Sequence, residues 1–215
     1  MKKRNFIISF LLLISSIIFI YLLKNVDIKC DVVNNSCIGF ASLNQFLFNE
    51  IGVNMIWYVI TDWLGIIPIL MSMIYAIIGF IQLIKRKSIK QVDIEIIVLG
   101  ILFLVVILIY ILFEKYIVNY RPILMNGFLE ASFPSSHTLM TICLCGSSII
   151  INNRLFRNKF TKVVNVMSLF IIIITIIGRF VSGVHWFTDI VGGILISSFL
   201  LMLFYLIIDL KNEVG

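Results

Sequence analysis

The chain has 215 residues, of which 61% are hydrophobic and only 13% are charged, and its mean hydropathy is +1.12. The charged share is about half of that in an average soluble domain, so the polar side chains are too few to cover a water-exposed surface. This composition excludes a soluble globular protein and predicts an integral membrane protein. The formal net charge is +6, and its meaning depends on where the basic residues lie.

Six hydrophobic runs follow one another along the chain, at about 5–23, 61–84, 93–113, 137–152, 163–181 and 187–208. A hydrocarbon core of roughly 30 Å is crossed by about 20 helical residues, and every backbone group in lipid needs a partner within its own segment. The runs lack the alternation of barrel strands. We therefore predict an all-α integral membrane protein with a six-transmembrane-helix bundle.

The first run follows a basic start, "MKKR", which is also how a signal peptide begins. Its apolar stretch is longer than that of a typical signal peptide, and no A-x-A-like cleavage site follows it. We therefore predict an uncleaved first helix.

The segment at about 24–60 is too interrupted to span a membrane, and we predict that it is an external loop. Apolar residues recur in it at helical spacing, with polar residues between them: Phe40, Leu43, Phe46 and Leu47. This pattern is typical of an amphipathic helix on the outer leaflet, and a packed loop is the alternative. Cys30 and Cys37 in this segment either form a disulfide in an oxidising space or remain two free thiols.

Two later runs have unusual features. Pro68 interrupts the second run and predicts a kink. The fourth run, "TLMTICLCGSSIIIN", is short and polar for a span, so we expect it to pack inside the bundle. We interpret its two cysteines, Cys143 and Cys145, as small apolar packing residues.

The basic residues are distributed unequally between the two sides of the predicted bundle. If the spans alternate, one side holds Lys2, Lys3, Arg4, Lys85, Arg86, Lys87, Lys90, Arg154, Arg157, Lys159, Lys162 and Lys211. The other side holds Lys24, Lys29, Lys115, Arg121 and Arg179. The positive-inside rule makes the first side cytoplasmic, so both termini are predicted to be cytoplasmic. The basic excess then reflects membrane topology rather than nucleic-acid binding.

Three short polar stretches border helices three to six on the predicted external side. They read "EKYIVNYRP" at 114–122, "FPSSH" at 133–137 and "GRFVSGVHWFTD" at 178–189. Together they hold both histidines of the chain. Ionisable groups at membrane depth are costly and therefore indicate a functional site.

The second stretch resembles the start of a helix that binds an anion. Pro134 stops any preceding helix, and Ser135 or Ser136 is a good N-cap for the fourth membrane helix. The first turn of that helix would offer free N–H groups and a positive dipole end. The alternative is that the serines only cap the helix and that His137 only anchors at the interface.

The third stretch pairs a histidine with a carboxylate. His185 and Asp189 are four residues apart, so at the start of a helix they share one face. A carboxylate that reaches an imidazole fixes its tautomer and raises its basicity. With the cations Lys115, Arg121 and Arg179, these groups predict a phosphate-binding pocket. The alternative is an interfacial His–Asp pair beside an arginine that extends to the headgroups.

The sequence contains no His/Cys cluster with zinc-ligand spacing and no cluster of carboxylates. We therefore predict no metal site and no cofactor.

At these residues the sequence resembles the type 2 phosphatidic acid phosphatase family, whose site is shared with the vanadium-dependent haloperoxidases. The family pattern is Lys, six residues, Arg-Pro; then Pro-Ser-Gly-His; then Ser-Arg, five residues, His, three residues, Asp. Here Ser136 replaces the family glycine, and Gly178 replaces the family serine. Lys115 also lies one residue nearer to Arg121 than the pattern requires.

The resemblance implies a role for each matching residue. His185 would attack phosphorus and form a phosphohistidine, and Asp189 would orient it. His137 would protonate the leaving oxygen and then activate water. The phosphate oxygens would be bound by Lys115, Arg121, Ser135 and Arg179, and Ser136 would either crowd the phosphate loop or add a hydroxyl donor. This chemistry needs positioning and charge stabilisation rather than a metal ion.

The resemblance further implies one membrane-embedded phosphatase domain over residues 1–215, acting on a lipid phosphate at the external face of the cell membrane. The expected substrates are undecaprenyl diphosphate, phosphatidylglycerophosphate or phosphatidic acid, and the expected partners are this substrate and membrane lipids. The small size favours a bacterial inner-membrane enzyme. The alternatives are a lipid phosphotransferase and a non-enzymatic lipid or anion transporter.

Overall fold

The computed structural model describes residues 2–31 and 36–211, without the side chains of Lys2 and Lys211. The helices are α1 (Lys2–Asn25), α2 (Ala41–Ile51), α3 (Met55–Leu64), α4 (Ile66–Arg86), α5 (Ile94–Lys115), α6 (Ser136–Ile151), α7 (Lys159–Val181) and α8 (Phe187–Lys211). Strands β1 (Lys29–Asp31) and β2 (Ser36–Ile38) form an antiparallel pair. A 3-10 turn spans Ile89–Gln91, and a π-helical turn, Asn152–Phe156, extends α6.

Six stretches of the described residues are long and apolar enough to cross a membrane: Lys3–Asn25, Met55–Arg86, Ile94–Lys115, Ser136–Phe156, Lys159–Val181 and Phe187–Leu210. They coincide with the six predicted runs, so the prediction of an all-α membrane protein with a six-helix bundle is confirmed. The cytoplasmic location of the termini stays a prediction, and Met1 and residues 212–215 lie outside the described residues.

The second span consists of two helices with a one-residue break between them. The side chain of Asn54 caps α3 by accepting hydrogen bonds from the N–H groups of Ile56 and Trp57, at 3.1 and 3.3 Å. The break between α3 and α4 falls at Gly65, three residues before Pro68. A proline ring clashes with the carbonyl of the preceding turn and removes a hydrogen bond to it, so the interruption lies where a kink from Pro68 is expected.

Helix α6 lies at the centre of the bundle, where it packs against α4, α5, α7 and α8. More than half of its membrane-spanning window is buried, a larger share than in the other five spans. Its residues Leu139, Cys143 and Ile151 join Leu102 and Phe204 in the core. The expectation that the fourth run packs inside the bundle is confirmed, and both of its cysteines are fully buried.

The segment after α1 contains the helix that its spacing indicated, α2. Leu43 and Phe46 are exposed, whereas Ala41 and Asn44 are buried. The Asn44 side chain donates to the Thr188 hydroxyl at 2.9 Å and accepts from the Thr188 N–H at 3.3 Å. A polar residue therefore docks α2 onto the first turn of α8, and the apolar residues lie on the outer face of α2.

The two strands before α2 are joined by a disulfide. Cys30 and Cys37 face each other across β1 and β2 and are bonded. Of the two alternatives, the structure therefore has the disulfide rather than free thiols.

The loops at one end of the bundle are joined to one another by hydrogen bonds. The N–H of Asn54, before α3, donates to the carbonyl of Ser182, after α7, at 3.0 Å. The indole N–H of Trp186, before α8, donates to the carbonyl of Tyr120, after α5, at 2.7 Å. This end of the bundle therefore brings the first and third polar stretches of the sequence together.

Candidate active site

The loop between α5 and α6 is a hairpin that places Arg121 and Ser132 at the same end of the bundle. Its tip, the Asn-Gly pair at 126–127, has φ values of 51° and 83°, as a two-residue hairpin turn requires. Across the hairpin, the Arg121 N–H donates to the carbonyl of Glu130 at 3.0 Å, and the Ser132 N–H donates to the carbonyl of Asn119 at 2.9 Å. These backbone bonds fix the positions from which the polar side chains project.

The segment between the hairpin and α6 lies directly against α8. A Cβ atom at Gly192 would approach the Phe133 ring to 2.1 Å, so the glycine permits this contact. The N–H of Ser135 donates to the backbone carbonyl of Asp189 at 3.0 Å. Ser135 occupies the N-cap position of α6, but its hydroxyl makes no capping bond and instead accepts from the Thr138 hydroxyl at 3.1 Å. The start of α6 is thus held beside the start of α8.

His185 is buried and held in one tautomer. Its Nδ1 lies 3.1 Å from the carbonyl oxygen of Ser132. Because a carbonyl only accepts, Nδ1 carries the proton and Nε2 carries the lone pair in the neutral ring. Nε2 is buried and has no hydrogen-bond partner among the described residues. The free lone pair is the feature that a nucleophilic histidine needs.

Asp189 supports His185 through Ser132 rather than by direct contact. The Asp189 carboxylate lies 4.0 Å from His185 Nδ1, beyond hydrogen-bond distance. It accepts instead from the Ser132 hydroxyl, from the Asn119 amide at 3.0 Å and from the Trp186 N–H at 2.9 Å. The spacing predicted a shared helical face, but α8 begins two residues after His185, so the helical geometry does not extend to the imidazole.

The charge state of His185 follows from its surroundings. Burial, then the positive charges of Arg121 and Arg179 and the neighbouring His137, hold the pKa of His185 well below its usual value of 6.5. The imidazole is therefore neutral at neutral pH, which leaves its lone pair available.

The two arginines have donors without partners. Arg179 is fully buried, and one of its terminal nitrogens donates to Asp62. Arg121 has Nε 3.1 Å from a carboxylate oxygen of Glu130, which is ion-pair distance without hydrogen-bond alignment. Both Nε and Nη1 of each arginine are buried without a hydrogen-bond partner among the described residues. An unsatisfied buried donor costs about 1–3 kcal/mol, so four of them together indicate a site that binds an anion.

A cavity of about 440 Å³ is lined by Arg121 and His185, whereas Arg179 and His137 are not among the residues that line it. Its polar lining includes Arg121, Ser132, Ser136 and His185 together with two carboxylates, Glu114 and Glu130. Its apolar wall includes Phe113, Ile117 and Leu139. Ser136 belongs to the first turn of α6, whose dipole favours negative charge. The cavity also reaches Tyr110 of α5, which is 48% exposed on the side of the bundle. This arrangement suits an anionic headgroup attached to an apolar chain.

His137 contacts a carboxylate that sequence reasoning missed. Its Nε2 lies 3.1 Å from Oδ1 of Asp62, a residue of α3. The sequence contained a signal for Asp62, because it is an acidic residue within an apolar run. Ser132 and Asn119 were also missed, and their neutral side chains carried no comparable signal.

The structure does not bring Lys115 to this site. Lys115 is the last residue of α5, is exposed, and has Nζ 5.8 Å from the centre of the Tyr116 ring. The described residues that line the cavity do not include it. A spacing of six residues to Arg121 rather than seven turns a helical side chain by about 100°, which accounts for the difference. A phosphate contact by Lys115 stays a prediction.

The two serines of "FPSSH" also differ in position. Ser135 is fully buried with its hydroxyl bonded to Thr138, whereas Ser136 lines the cavity. Ser136 is therefore the better placed of the two to contact a ligand.

Among the described residues, no group of three or more His, Cys, Asp or Glu side chains is placed to hold a metal ion.

The comparisons with known proteins agree with this geometry. Residues 114–213, which contain every site residue selected from the sequence, match the family model of the PAP2 superfamily. The crystal structure of a transmembrane PAP2-type phosphatidylglycerolphosphate phosphatase from Bacillus subtilis is similar to this chain, with 19% identity, a TM-score of 0.61, and coverage of 96% of this chain and 97% of that one. No curated protein sequence matches this chain significantly. Residues 114–213 are therefore similar to the PAP2 superfamily, and the chain as a whole shares its fold with a transmembrane PAP2-type phosphatase.

Proposed function

We propose that this protein is a membrane lipid phosphatase that transfers the phosphoryl group of a lipid phosphate to water through a phosphohistidine on His185. The observation that carries the proposal is a set of five buried nitrogen atoms without hydrogen-bond partners among the described residues: Nε and Nη1 of Arg121, Nε and Nη1 of Arg179, and Nε2 of His185. A phosphate group suits both the arginine donors and the histidine lone pair. Its oxygens accept hydrogen bonds from the guanidinium groups, and its phosphorus accepts the lone pair.

In the first step, Nε2 of His185 attacks phosphorus, and the bond between phosphorus and the lipid oxygen breaks. His137 gives its proton to the leaving oxygen, so the lipid departs as an alcohol. In the second step, His137 takes a proton from water, the water oxygen attacks phosphorus, and the phosphorus–nitrogen bond breaks. The products are the lipid alcohol and inorganic phosphate, and both histidines return to their starting states.

Three neighbours of His185 support the first step without touching the phosphate. The Ser132 carbonyl keeps the proton on Nδ1, at 3.1 Å. The Ser132 hydroxyl and the Asn119 amide both donate to the Asp189 carboxylate. When the ring becomes positively charged on phosphorylation, the buried carboxylate 4.0 Å away stabilises that charge.

The apolar part of the cavity supports a lipid as substrate rather than a small phosphate ester. Phe113 and Ile117 line it, and exposed Tyr110 places its opening on the side of the bundle beside α5. A chain lying in the membrane would enter there while its headgroup meets Arg121 and His185. Phosphatidylglycerophosphate is the first substrate to test, because the similar solved structure is described as a phosphatase of that lipid; undecaprenyl diphosphate and phosphatidic acid follow.

Two observations support a site on the external face of the membrane. The basic residues are concentrated at the other end of the bundle, which the positive-inside rule makes cytoplasmic. The Cys30–Cys37 disulfide lies at the end that holds the site, and disulfides persist in oxidising compartments.

The proposal is tested by measuring phosphate release from these lipid phosphates by the purified protein in detergent. We expect release from at least one of them, with loss of about ten- to a hundredfold in kcat/KM for Arg121→Ala, because each lost charge-assisted contact is worth about 1.5–3 kcal/mol. No release from any lipid phosphate would overturn the proposal. A phosphorylated second lipid without free phosphate would instead identify a phosphotransferase.

A further inference from the structure

A second carboxylate contacts the site, and it comes from outside the segment that matches the family. Asp62 lies on α3, whereas the match covers 114–213. Its Oδ1 is at ion-pair distance, 3.1 Å, from Nε2 of His137, and it accepts a hydrogen bond from a terminal nitrogen of Arg179. One carboxylate oxygen therefore joins a histidine from α6 to an arginine from α7.

The backbone around Asp62 is closely packed against the site. A Cβ atom at Gly178 of α7 would lie 2.4 Å from the Thr61 methyl group, so the glycine lets α3 approach α7. A Cβ atom at Gly65, where α3 ends, would lie 3.2 Å from the His137 ring. Thr61 itself is fully buried. Close helix packing therefore fixes the backbone at Asp62, whose side chain is 41% exposed.

The contact with Asp62 leaves the remaining donors of Arg179 available. A guanidinium group has five N–H donors, and Asp62 is bonded to one terminal nitrogen. The Tyr58 ring covers the group, with its centre 4.8 Å away. Nε and Nη1 have no hydrogen-bond partner among the described residues. Asp62 can thus hold Arg179 in place while Arg179 binds phosphate oxygens.

We propose that Asp62 is a positioning residue for both His137 and Arg179, an inference that rests on the proposed function. Its carboxylate holds Nε2–H of His137 and leaves Nδ1 to face the leaving oxygen. Nδ1 then gives its proton to that oxygen in the first step and takes one from water in the second. The negative charge of Asp62 stabilises the protonated ring that acts as the acid. The charged groups that face His137 are Asp62, Arg179 and Arg121.

The test compares Asp62→Asn with wild type on two substrates that differ in their need for an acid. The alkyl leaving group of phosphatidic acid must be protonated, whereas the leaving group of 4-nitrophenyl phosphate departs as an anion. The asparagine oxygen still accepts from Arg179, but the variant lacks the charge that stabilises protonated His137. Because the second step is common to both substrates, the rate compared is that of phosphorylation, measured as release of the leaving group in the first turnover. We expect this rate to fall about ten- to a hundredfold on phosphatidic acid and to change by less than about threefold on 4-nitrophenyl phosphate. An equal loss on both substrates would overturn the proposal.

Two further variants complete the test. Asp62→Glu keeps the charge and should retain the wild-type ratio of the two rates. If Asp62→Glu instead gave the same ratio as Asp62→Asn, this result would contradict the proposal. Asp209→Asn is the matched control, because it removes a carboxylate 2.9 Å from Arg154, at the end of the bundle opposite the site. We expect it to leave both rates unchanged.

The outcomes separate the two proposals. If the wild type hydrolyses neither substrate, the proposed function fails. If the wild type is active and Asp62→Asn behaves like Asp209→Asn, the role of Asp62 alone fails. Gel filtration and thermal unfolding in detergent accompany each assay, and an Asp62→Asn protein that does not fold would identify a purely structural residue and overturn the positioning role.

Discussion

The link between Asp189 and His185 through Ser132 makes a quantitative prediction. Ser132→Ala removes the hydroxyl that donates to the Asp189 carboxylate, which is fully buried. The other two donors to that carboxylate, from Asn119 and Trp186, remain. A hydrogen bond to a charged group is worth about 1.5–3 kcal/mol, or roughly ten- to a hundredfold in rate. The variant keeps the backbone carbonyl that accepts from Nδ1, so activity should fall rather than disappear.

The effect should lie in kcat rather than KM. The Ser132 hydroxyl gives its hydrogen to Asp189, so it has no donor left for the substrate. Phosphate release at saturating and limiting lipid concentrations separates the two parameters. Ser197→Ala is the matched control, because that buried hydroxyl donates to the carbonyl of Ile194 within α8 at 3.1 Å, and we expect it to change kcat less than about twofold.

Two results would refute this reasoning about Ser132. A wild-type kcat in Ser132→Ala would show that Asp189 does not act through the hydroxyl. A rise in KM with unchanged kcat would show that Ser132 binds the substrate instead.

Three further predictions concern charge, protonation and topology. Lys115→Ala should keep kcat/KM within about threefold of wild type, because an exposed charge contributes under about 1 kcal/mol. A loss as large as that of Arg121→Ala would instead show that Lys115 contacts the phosphate. In ¹⁵N-histidine NMR of the protein in detergent micelles, His185 should be neutral at pH 6.5 with its proton on Nδ1, because burial and nearby arginines lower its pKa and it protonates only at lower pH; a protonated ring at that pH would contradict this. Asn126→Cys should react with an impermeant maleimide in intact cells and Lys90→Cys only after permeabilisation, since the native cysteines are disulfide-bonded or buried; the opposite pattern would place the site in the cytoplasm.

The helical framework could be predicted from the sequence because it depends on composition over long windows. The burial of α6 followed from its serines and threonines, which lipid disfavours. The interruption in the second span could be predicted from Pro68, but its exact position at Gly65 could not. The docking of α2 could not be predicted, since Asn44 finds a polar partner in Thr188 that only the tertiary structure supplies.

The site could be predicted as far as its charged and titratable residues. Both histidines and both arginines were recognised, because ionisable groups at membrane depth are energetically costly and therefore indicate a functional site. Ser132 could not be recognised, since its role depends on lying between His185 and Asp189 in space. Asp62 was overlooked because it reaches the site through the packing of α3 on α7, which no local pattern specifies.

The most direct test of the central claim is to trap the phosphoenzyme. In His137→Ala, ³²P-labelled 4-nitrophenyl phosphate should still phosphorylate His185, because its leaving group needs no proton, and hydrolysis of the intermediate should be slow because water is not activated. After denaturing quench and peptide mapping, we predict acid-labile label on the peptide that contains His185, and none when His185 is also replaced by Ala. Label that survives in the double variant, or phosphate release by His185→Ala alone, would contradict the account.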